Sequence, residues 1–555
     1  MEDKKEKLKI NTNIIWMIIA ILLIAIFCVS ITPVSLQNDT FYTIKIGEHI
    51  SKNGIDMIDP FSWHENLPYT YPHWLYDFIT YLIYSIFGMT GVYVLTCILS
   101  SMLGIVLYIT NVKLVKNKTL SFVITIGVMY IIRSYIAARA QLVTFILFVL
   151  TIFFIEKFLE TKKKRYAAGL IVIPILIANL HIAVFPFYFI LYLPYFAEYI
   201  LSILAETIIY SKTEQIKLKN KIKTLSKKPG QEVNVKKLQE KLKKLEEKVD
   251  KRKIKRTKEL QNPYKIKMAK KDATKWLILI FIICIFTGFL TPLGTAPYTY
   301  LIKTMQGNTT QNINEHLPMT LSNETDTLCA IVIFLAVLIF TKVKIRLSDL
   351  FMIGGLCYLM LLTKRQMTMF VLIGSFILNR NLSDLVKIYL KTDIDELAKT
   401  KLKTKGFIII AILVIALSCY MVKDKFNEKF IDEKEYPVSA CDFILENIDI
   451  NSAKFYNEYN YGSYLIYRGI PVFIDSRADL YAPEFNNKED IFMEFIDASS
   501  IGTFYEDTME KYDITHVLTY SNSKMNLIIE KTNPENYRQI YKDDYFVIYE
   551  RTATK

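Results

Sequence analysis

Carboxylates and imidazoles crowd one stretch of this chain: Asp39, then Ile58-Asp59-Pro60-Phe61-Ser62-Trp63-His64, then Pro72-His73-Trp74-Leu75. A carboxylate that takes a proton and an imidazole that moves one or orients an anion are the working parts of general acid–base chemistry. Each also has a plainer use. Asp39 stands a few residues beyond an apolar run, a common place for a surface acid. Asp59 precedes Pro60, a pairing that starts turns, and His64 and His73 serve equally as structural or exposed histidines. Farther along come Arg133, Arg139, His181, Glu315-His316, Lys364-Arg365, and Asp475, Arg477 and Asp479. Arg grips a phosphate with two parallel hydrogen bonds and Lys acts on it as a point charge, although both also snorkel at the ends of membrane helices. His181, Glu315, His316 and an aspartate form a conceivable divalent-cation set of imidazole and carboxylate ligands. No HExxH or CxxC spacing accompanies them, so the sequence assigns no metal.

The elements that must hold these residues are membrane helices. Of the 555 residues 52% are hydrophobic, and mean hydropathy is +0.25. Apolar runs of near-bilayer length recur between Ile14 and Met421, separated by short lysine-rich pieces, and in lipid a helix satisfies its own backbone. A cytosolic enzyme, a disulfide-stapled secreted module and a disordered chain are excluded. Of the cysteines only Cys441 lies in polar sequence, and no disulfide framework is implied. The expected spans are Ile14 to Ile31, Val92 to Ile109, Leu120 to Ile136, Leu142 to Phe158, Ala167 to Leu180 and Phe185 to Ala205. Trp276 to Leu290, Leu328 to Phe340, Leu350 to Leu362, Met367 to Ile377 and Phe407 to Met421 bring the total to about eleven.

Alternating these spans from a cytoplasmic N-terminus puts every basic loop on one side, as the positive-inside bias requires. Those loops are Lys113 to Lys118, Lys162 to Arg165, Lys212 to Lys275, Lys342 to Arg346 and Lys391 to Lys405. The first span lacks an A-x-A cleavage site and reads as an uncleaved anchor. The outer side receives residues 33–91, including an interfacial helix at His73 to Phe87, the turn Arg133 to Gln141, the loop Pro292 to Asp326, the Lys364-Arg365 turn and residues 423–555. All the candidate residues above thus share the outer face.

The net charge of +14 is uneven: Lys212 to Lys275 holds 24 basic and 8 acidic residues, while Asp424 to Lys555 holds 14 basic and 25 acidic. The insert 212–275 carries Leu238, Leu242 and Leu245 at helical spacing after a Pro229-Gly230 break, without interleaved aromatics. That pattern fits a solvated helical hairpin touching anionic lipid head groups and disfavours nucleic-acid binding. In the C-terminal part a helix at Val438 to Asn447 precedes strand-like runs at Lys454 to Tyr456, Val472 to Asp475, His516 to Thr519 and Tyr545 to Tyr549. The expected architecture is therefore a polytopic α-helical membrane domain, residues 1–422, joined to a soluble extracytoplasmic α/β domain, residues 423–555, long enough to hold a core of its own.

The ordered pattern Asp39-x-Phe41, Gly47, Asp59-Pro60-Phe61-Ser62 and His73-Trp74-Leu75 resembles bacterial multispanning proteins of the GT-C glycosyltransferase superfamily. The resemblance continues through Arg139-Ala140-Gln141-Leu142, Ala178-Asn179-Leu180-His181, Leu290-Thr291-Pro292-Leu293-Gly294, Asn314-Glu315-His316 and Phe473 to Tyr481; the basic insert has no counterpart. It implies a mannosyltransferase-like enzyme of the cell membrane that uses a polyprenyl-phosphate-linked sugar on the outer face, with a first-loop carboxylate as general base. Asp39 stands at that place, and Asp59 is the second carboxylate. His64, His73, Arg139, His181, Glu315, His316, Lys364, Arg365, Asp475 and Arg477 are then candidates for substrate binding, Lys364-Arg365 foremost for the leaving phosphate.

The partners implied are the lipid-linked donor, a glycan, lipid or protein acceptor, and membrane lipids, with no nucleic acid; a divalent cation is the one cofactor in question. Tyr459-Asn460-Tyr461-Gly462 resembles the Trp-Trp-Asp-Tyr-Gly motif of oligosaccharyltransferases, but both tryptophans are missing and Asn460 replaces the aspartate, so sequon binding is not implied. The competing readings are a transporter or flippase of lipid-linked sugars and a non-enzymatic envelope scaffold. Against the first, polar residues gather at outer helix ends and not at the midplane. A nucleotide-sugar transferase would have to use Asp393-Ile394-Asp395, which falls in a short lysine-rich loop on the other face.

Overall fold

The computed structural model describes the chain apart from residues 1–11, 211, 228, 261–264, 269–270, 321–323, 399–402, 424, 533 and 553–555. The lysine-rich start of the chain lies outside the described residues. Helices α1 (Thr12–Ile31), α2 (Asn38–Asn53), α3 (Trp74–Val115), α4 (Lys118–Ile131), α5 (Ala140–Thr161), α6 (Lys164–Leu180), α7 (Phe185–Ile190) and α8 (Leu193–Tyr210) come first. The insert forms α9 (Lys212–Leu225) and α10 (Glu232–Leu260), and α10 folds back on α9 with Lys219 and Glu246 paired at 3.0 Å. Next are α11 (Thr274–Ile285), α12 (Ala296–Gln306), α13 (Thr309–Asn312), α14 (Thr325–Phe340), α15 (Leu347–Leu362), α16 (Met367–Leu390), α17 (Ile394–Leu397) and α18 (Lys403–Val422).

Every expected span overlaps a helix, and among the described residues five helices are long and apolar enough to cross a membrane, with five shorter apolar helices beside them. The protein is a multi-pass membrane protein. The interfacial helix expected at His73 to Phe87 and the span expected at Val92 to Ile109 are two helical arms, labelled together as α3, that meet at a kink. The kink lies at Gly88, whose φ of 61° and ψ of −155° suit only a residue without Cβ. The break separates the arm that begins at His73 from the arm that joins the bundle. There Phe27, Leu107, Phe122, Phe148 and Phe376, from α1, α3, α4, α5 and α16, share one apolar core.

The far end of the bundle is fastened by charge. Arg346 reaches Glu156 of α5 (Nη1 to Oε2, 3.1 Å) and Asp349 of α15, and Arg380 of α16 pairs with the same Asp349. Asp395 accepts hydrogen bonds from the backbone N–H groups of Lys118 and Thr119 and so caps α4. A carboxylate at a helix N-terminus is favoured by the exposed amides and their dipole.

The C-terminal part carries α19 (Val438–Asn447), α20 (Tyr459–Arg468) and a sheet. A two-stranded parallel ribbon, β1 (Ile266–Lys267) and β2 (Ile345–Arg346), lies earlier in the chain. The main sheet consists of β3 (Phe455–Tyr456), β4 (His516–Tyr520), β5 (Tyr537–Lys542) and β6 (Phe546–Arg551) in the order β3-β4-β6-β5, with β3 parallel to β4 and the rest antiparallel. The run Val472 to Asp475, expected as a strand, is not in this sheet. Its backbone is bonded instead to Trp63 N–H and to the Asn457 side chain. The edge strand β5 was not foreseen because its YRQIYK sequence lacks apolar alternation.

The core of this part is not its own. Tyr42, Ile46, Leu67 and Tyr71 pack with Phe473, Tyr481, Phe492 and Val517 in one cluster, and α2 lies between α3 and α20. Gly47 makes that sandwich close, since a Cβ there would meet the Asp77 carbonyl oxygen at 2.2 Å. The first polar loop and the C-terminal part are therefore one packed body, and what hangs on that body is α2, which carries Asp39.

Candidate functional site

A cavity of 1330 Å³ lies where the bundle meets this body. Asp39 enters it from the first turn of α2, a position that favours negative charge. Arg139, the N-cap residue of α5, enters from the bundle. Its Nε lies 3.0 Å from Asp39 Oδ2 without the alignment of a hydrogen bond, so charge attraction alone joins them there; its Nη1 donates to Glu315 Oε1 at 3.2 Å. Glu315 is brought in by backbone bonding: Arg365 N–H donates to the Glu315 carbonyl (3.0 Å) and Lys364 N–H to the Leu317 carbonyl (2.9 Å). Burial works against a charge on Glu315, yet Arg139 and Arg365 outweigh it and hold the carboxyl below its ordinary range. Burial and the neighbouring Arg365 bring His316 down to about 4, so its imidazole is neutral near pH 7.

Arg365 lines the cavity with no carboxylate in ion-pair distance among the described residues; its one side-chain hydrogen bond there is to Gln141 Oε1 at 3.5 Å. Lys364 turns away and pairs with Glu324 at 2.7 Å, and Arg133 pairs with Asp326 at 3.4 Å. The two basic residues that the sequence presents as a pair thus separate into one held cation and one unpaired cation.

His73 also faces the cavity. Its Nδ1 meets Asp77 Oδ1 at 2.6 Å and its Nε2 meets the Tyr42 hydroxyl at 3.1 Å. Asp77 is fully buried, and Tyr42 follows Asp39 by three residues on the same face of α2. His181 lies across from His73, with ring centroids 6.3 Å apart, and bonds Thr144 at 2.9 Å. His181, Glu315 and His316 are not assembled as ligands: among the described residues no three His, Cys, Asp or Glu side chains converge on a metal position.

Asp59 and Asp475 form a different construction around Arg477, which itself lines the cavity. Arg477 donates from Nη1 to Asp59 (2.6 Å) and from Nε and Nη2 to Asp475 (2.8 Å each); both carboxylate side chains are 0% exposed and the guanidinium side chain 3%. Asp59 also accepts from Phe61 N–H, Ser62 N–H and Ser62 Oγ, closing the turn. Neither Asp59 nor Asp475 lines the cavity. Nor does His64, whose Nε2 meets the Phe473 carbonyl at 2.8 Å and whose ring burial brings it down to about 4.

Asp479, which the sequence marked beside Asp475 and Arg477, lines the cavity together with residues it left unmarked. Asp479 enters the cavity under three hydroxyls, from Tyr300 (2.8 Å), Thr304 (3.2 Å) and Thr309 (3.3 Å), and burial pushes its carboxyl above the ordinary range. Tyr300 and Thr304 are four apart on α12, a spacing visible in the sequence; their shared target is not. The His73/Asp77 pair has the same helical spacing and was equally readable. The opposite flank is apolar, lined by Phe187, Ile190, Leu359 and Leu362, and Ile190 also borders a second cavity of 230 Å³ formed by Leu193, Ala197, Phe351 and Leu356 between α8 and α15.

No protein-family model matches the sequence, and a sequence search finds no similar curated protein. Among solved structures the chain is similar to the oligosaccharyltransferase of Archaeoglobus fulgidus. Against its apo form the TM-score is 0.52 at 12% identity, over 91% of this chain and 69% of that one. Against the same enzyme tethered through a disulfide bond to an acceptor peptide containing the NVT sequon, the TM-score is 0.52 at 12% identity, over 97% and 74%. This likeness shows the fold: the chain shares the fold of that archaeal oligosaccharyltransferase.

Proposed function

We propose that the protein is a membrane glycosyltransferase that moves a sugar from a polyprenyl-phosphate donor to a hydroxyl of a glycan, lipid or protein acceptor on the outer face. The observation that carries this reading is that one cavity joins three things the reaction needs: a carboxylate with an open oxygen, an unpaired arginine and an apolar groove. At 1330 Å³ it exceeds the usual range for a single small ligand, about 300–1,000 Å³, which leaves room for two substrates. The isoprenoid chain lies along Ile190 toward the smaller cavity between α8 and α15, and the phosphate lies against Arg365. The acceptor oxygen attacks the anomeric carbon as the bond to the phosphate oxygen breaks, with inversion. Asp39 takes the hydroxyl proton, and the polyprenyl phosphate departs with the bonding electrons toward the arginine.

A nucleotide-sugar donor is disfavoured by chemistry, because the carboxylate of Asp395 that a cytoplasmic Asp-x-Asp site would need is occupied in capping α4. The test is transfer of labelled sugar from a polyprenyl phosphate to extracted acceptor by the purified protein. In that assay Arg365→Ala should weaken donor binding and slow transfer together, since the phosphate contact exists in both the bound donor and the transition state. Donor binding equal to wild type would remove Arg365 from the site.

The reading also needs eleven spans, a cytoplasmic N-terminus and an outer-face cavity. A tag inserted at Gly230 is expected to be shielded in intact cells and one at Asn314 to be accessible; the reverse pattern would put the site on the wrong side for this donor.

A further inference from the structure

A carboxylate pair in a glycosyl-transfer site invites a divalent cation, and the residues present do not fit one. The space between Asp39 and Glu315 is taken by the Arg139 guanidinium, 3.0 Å from one carboxylate and 3.2 Å from the other. A bridging Mg²⁺ or Mn²⁺ binds carboxylate oxygens at about 2.0–2.2 Å and needs near-octahedral oxygen ligands, so it could reach these two only by expelling the guanidinium. Arg139 is not a loose surface cation. It is the N-cap residue of α5, fixed at the head of a buried helix. The helix end adds its own positive partial charge to the same place, as does the first turn of α2 at Asp39. A metal entering here would meet a guanidinium and two helix N-termini.

Two of the three imidazoles that line the cavity are engaged as well; His316 makes no side-chain hydrogen bond among the described residues, and no three His, Cys, Asp or Glu side chains converge there. Both ring nitrogens of His73 are used, by Asp77 and Tyr42, and His181 Nδ1 is used by Thr144.

We propose that Arg139 is the built-in cation of this site: it bridges Asp39 and Glu315, holds Asp39 with Oδ1 free to take the acceptor proton, and makes transfer independent of divalent metal. Asp39 Oδ1 has no protein partner among the described residues, which leaves it for the substrate. Arg139 is a positioning residue in this account, since it acts through the base. The assignment of Asp39 as base rests on the function proposed above; the exclusion of metal by the guanidinium does not, and the experiment separates the two.

Mn²⁺ binding to the purified full chain is followed by the loss of the free-ion electron paramagnetic resonance signal, for wild type, Asp39→Asn, Glu315→Gln, Arg139→Ala and Arg139→Ala/Glu315→Gln. Wild type should bind no Mn²⁺ that Asp39→Asn or Glu315→Gln abolishes. Arg139→Ala should gain a single site, because it exposes two carboxylates to each other, and the double variant should lose it again. In the transfer assay, wild-type turnover should be unchanged by excess EDTA.

A wild-type Mn²⁺ site that disappears in Asp39→Asn or Glu315→Gln overturns the proposal. So does transfer that stops in EDTA and returns with Mn²⁺, and so does a folded Arg139→Ala that gains no site. Should Arg139→Ala not fold, Arg139→Gln keeps the side-chain length without the charge, and the wild-type measurement decides by itself. The expected Mn²⁺ pattern in a protein that transfers no sugar would sink the function proposed above and leave this inference standing.

Discussion

Asp39→Asn should lower kcat for sugar transfer by about a hundredfold or more while donor affinity survives. The amide keeps the size of the side chain and its place in the first turn of α2, so the cavity keeps its shape; what is lost is the proton acceptor. The donor does not need that acceptor to bind, and the acceptor hydroxyl needs it only as its oxygen attacks, so the loss falls on turnover. One complication is that Asp39 is also a partner of Arg139. Glu315→Gln serves as the control, because it weakens the other hold on Arg139 while leaving the base, and it should cost clearly less than Asp39→Asn. Asp59→Asn supplies a second control. Its carboxylate is buried against Arg477 and Ser62 and does not line the cavity, so the variant should lose stability while each folded molecule keeps its turnover. Wild-type turnover in Asp39→Asn would exclude this carboxylate as the base; a dead but well-folded Asp59→Asn beside it would move the chemistry to the other acid.

The helices of the bundle were legible because lipid leaves a chain few choices: runs of apolar residues of bilayer length must satisfy their own backbone. The helix Val438 to Asn447 was readable in the same way, from its periodicity, and so was the break at Pro229-Gly230 between α9 and α10. Helix α2 was harder to read, because its NDTFYTIKIGEHISKN sequence is neither apolar enough for a span nor regular enough to announce a face. It is helical because it is clamped between α3 and α20, a tertiary cause.

The site shows the same division. Asp39, Arg139, Glu315 and Arg365 could each be singled out by residue type and by their place in the segments expected on the outer face. That Arg139 bridges the two acids, 100 and 176 residues away in the chain, has no local signature. Asp59 and Arg477 were likewise marked in separate motifs, and their pairing across 418 residues is invisible to spacing. The opposite fates of Lys364 and Arg365, adjacent in sequence, depend on a backbone ladder to residues 315–317 that no one-dimensional pattern records.

That long-range pairing leads to the largest expected effect on stability. Arg477→Met should lower the apparent unfolding midpoint sharply, with a cost of about 3–5 kcal/mol, the usual range when one member of a buried ion cluster is removed. The guanidinium neutralises two carboxylates that have no access to water, and it makes three hydrogen bonds to them in a planar fork. Methionine leaves both acids buried without a counter-charge, although Tyr481, Ser62 and backbone amides still donate to them. Arg477→Lys keeps the charge and loses the fork, so it should lie between wild type and methionine. Replacing all three, as Asp59→Asn/Asp475→Asn/Arg477→Met, should recover much of the loss, because the penalty comes from the stranded charges and not from the missing bonds. Thermal unfolding of the purified protein in detergent measures the series, and an Arg477→Met variant that melts with wild type would falsify the account of this cluster. The consequence reaches the cavity. Arg477 ties the turn at Asp59 to the C-terminal part, and α2 packs against both. Loosening that tie frees the element that aims Asp39 at Arg139, and Arg477 itself lines the cavity, so the lysine variant, if it folds, should also transfer sugar more slowly.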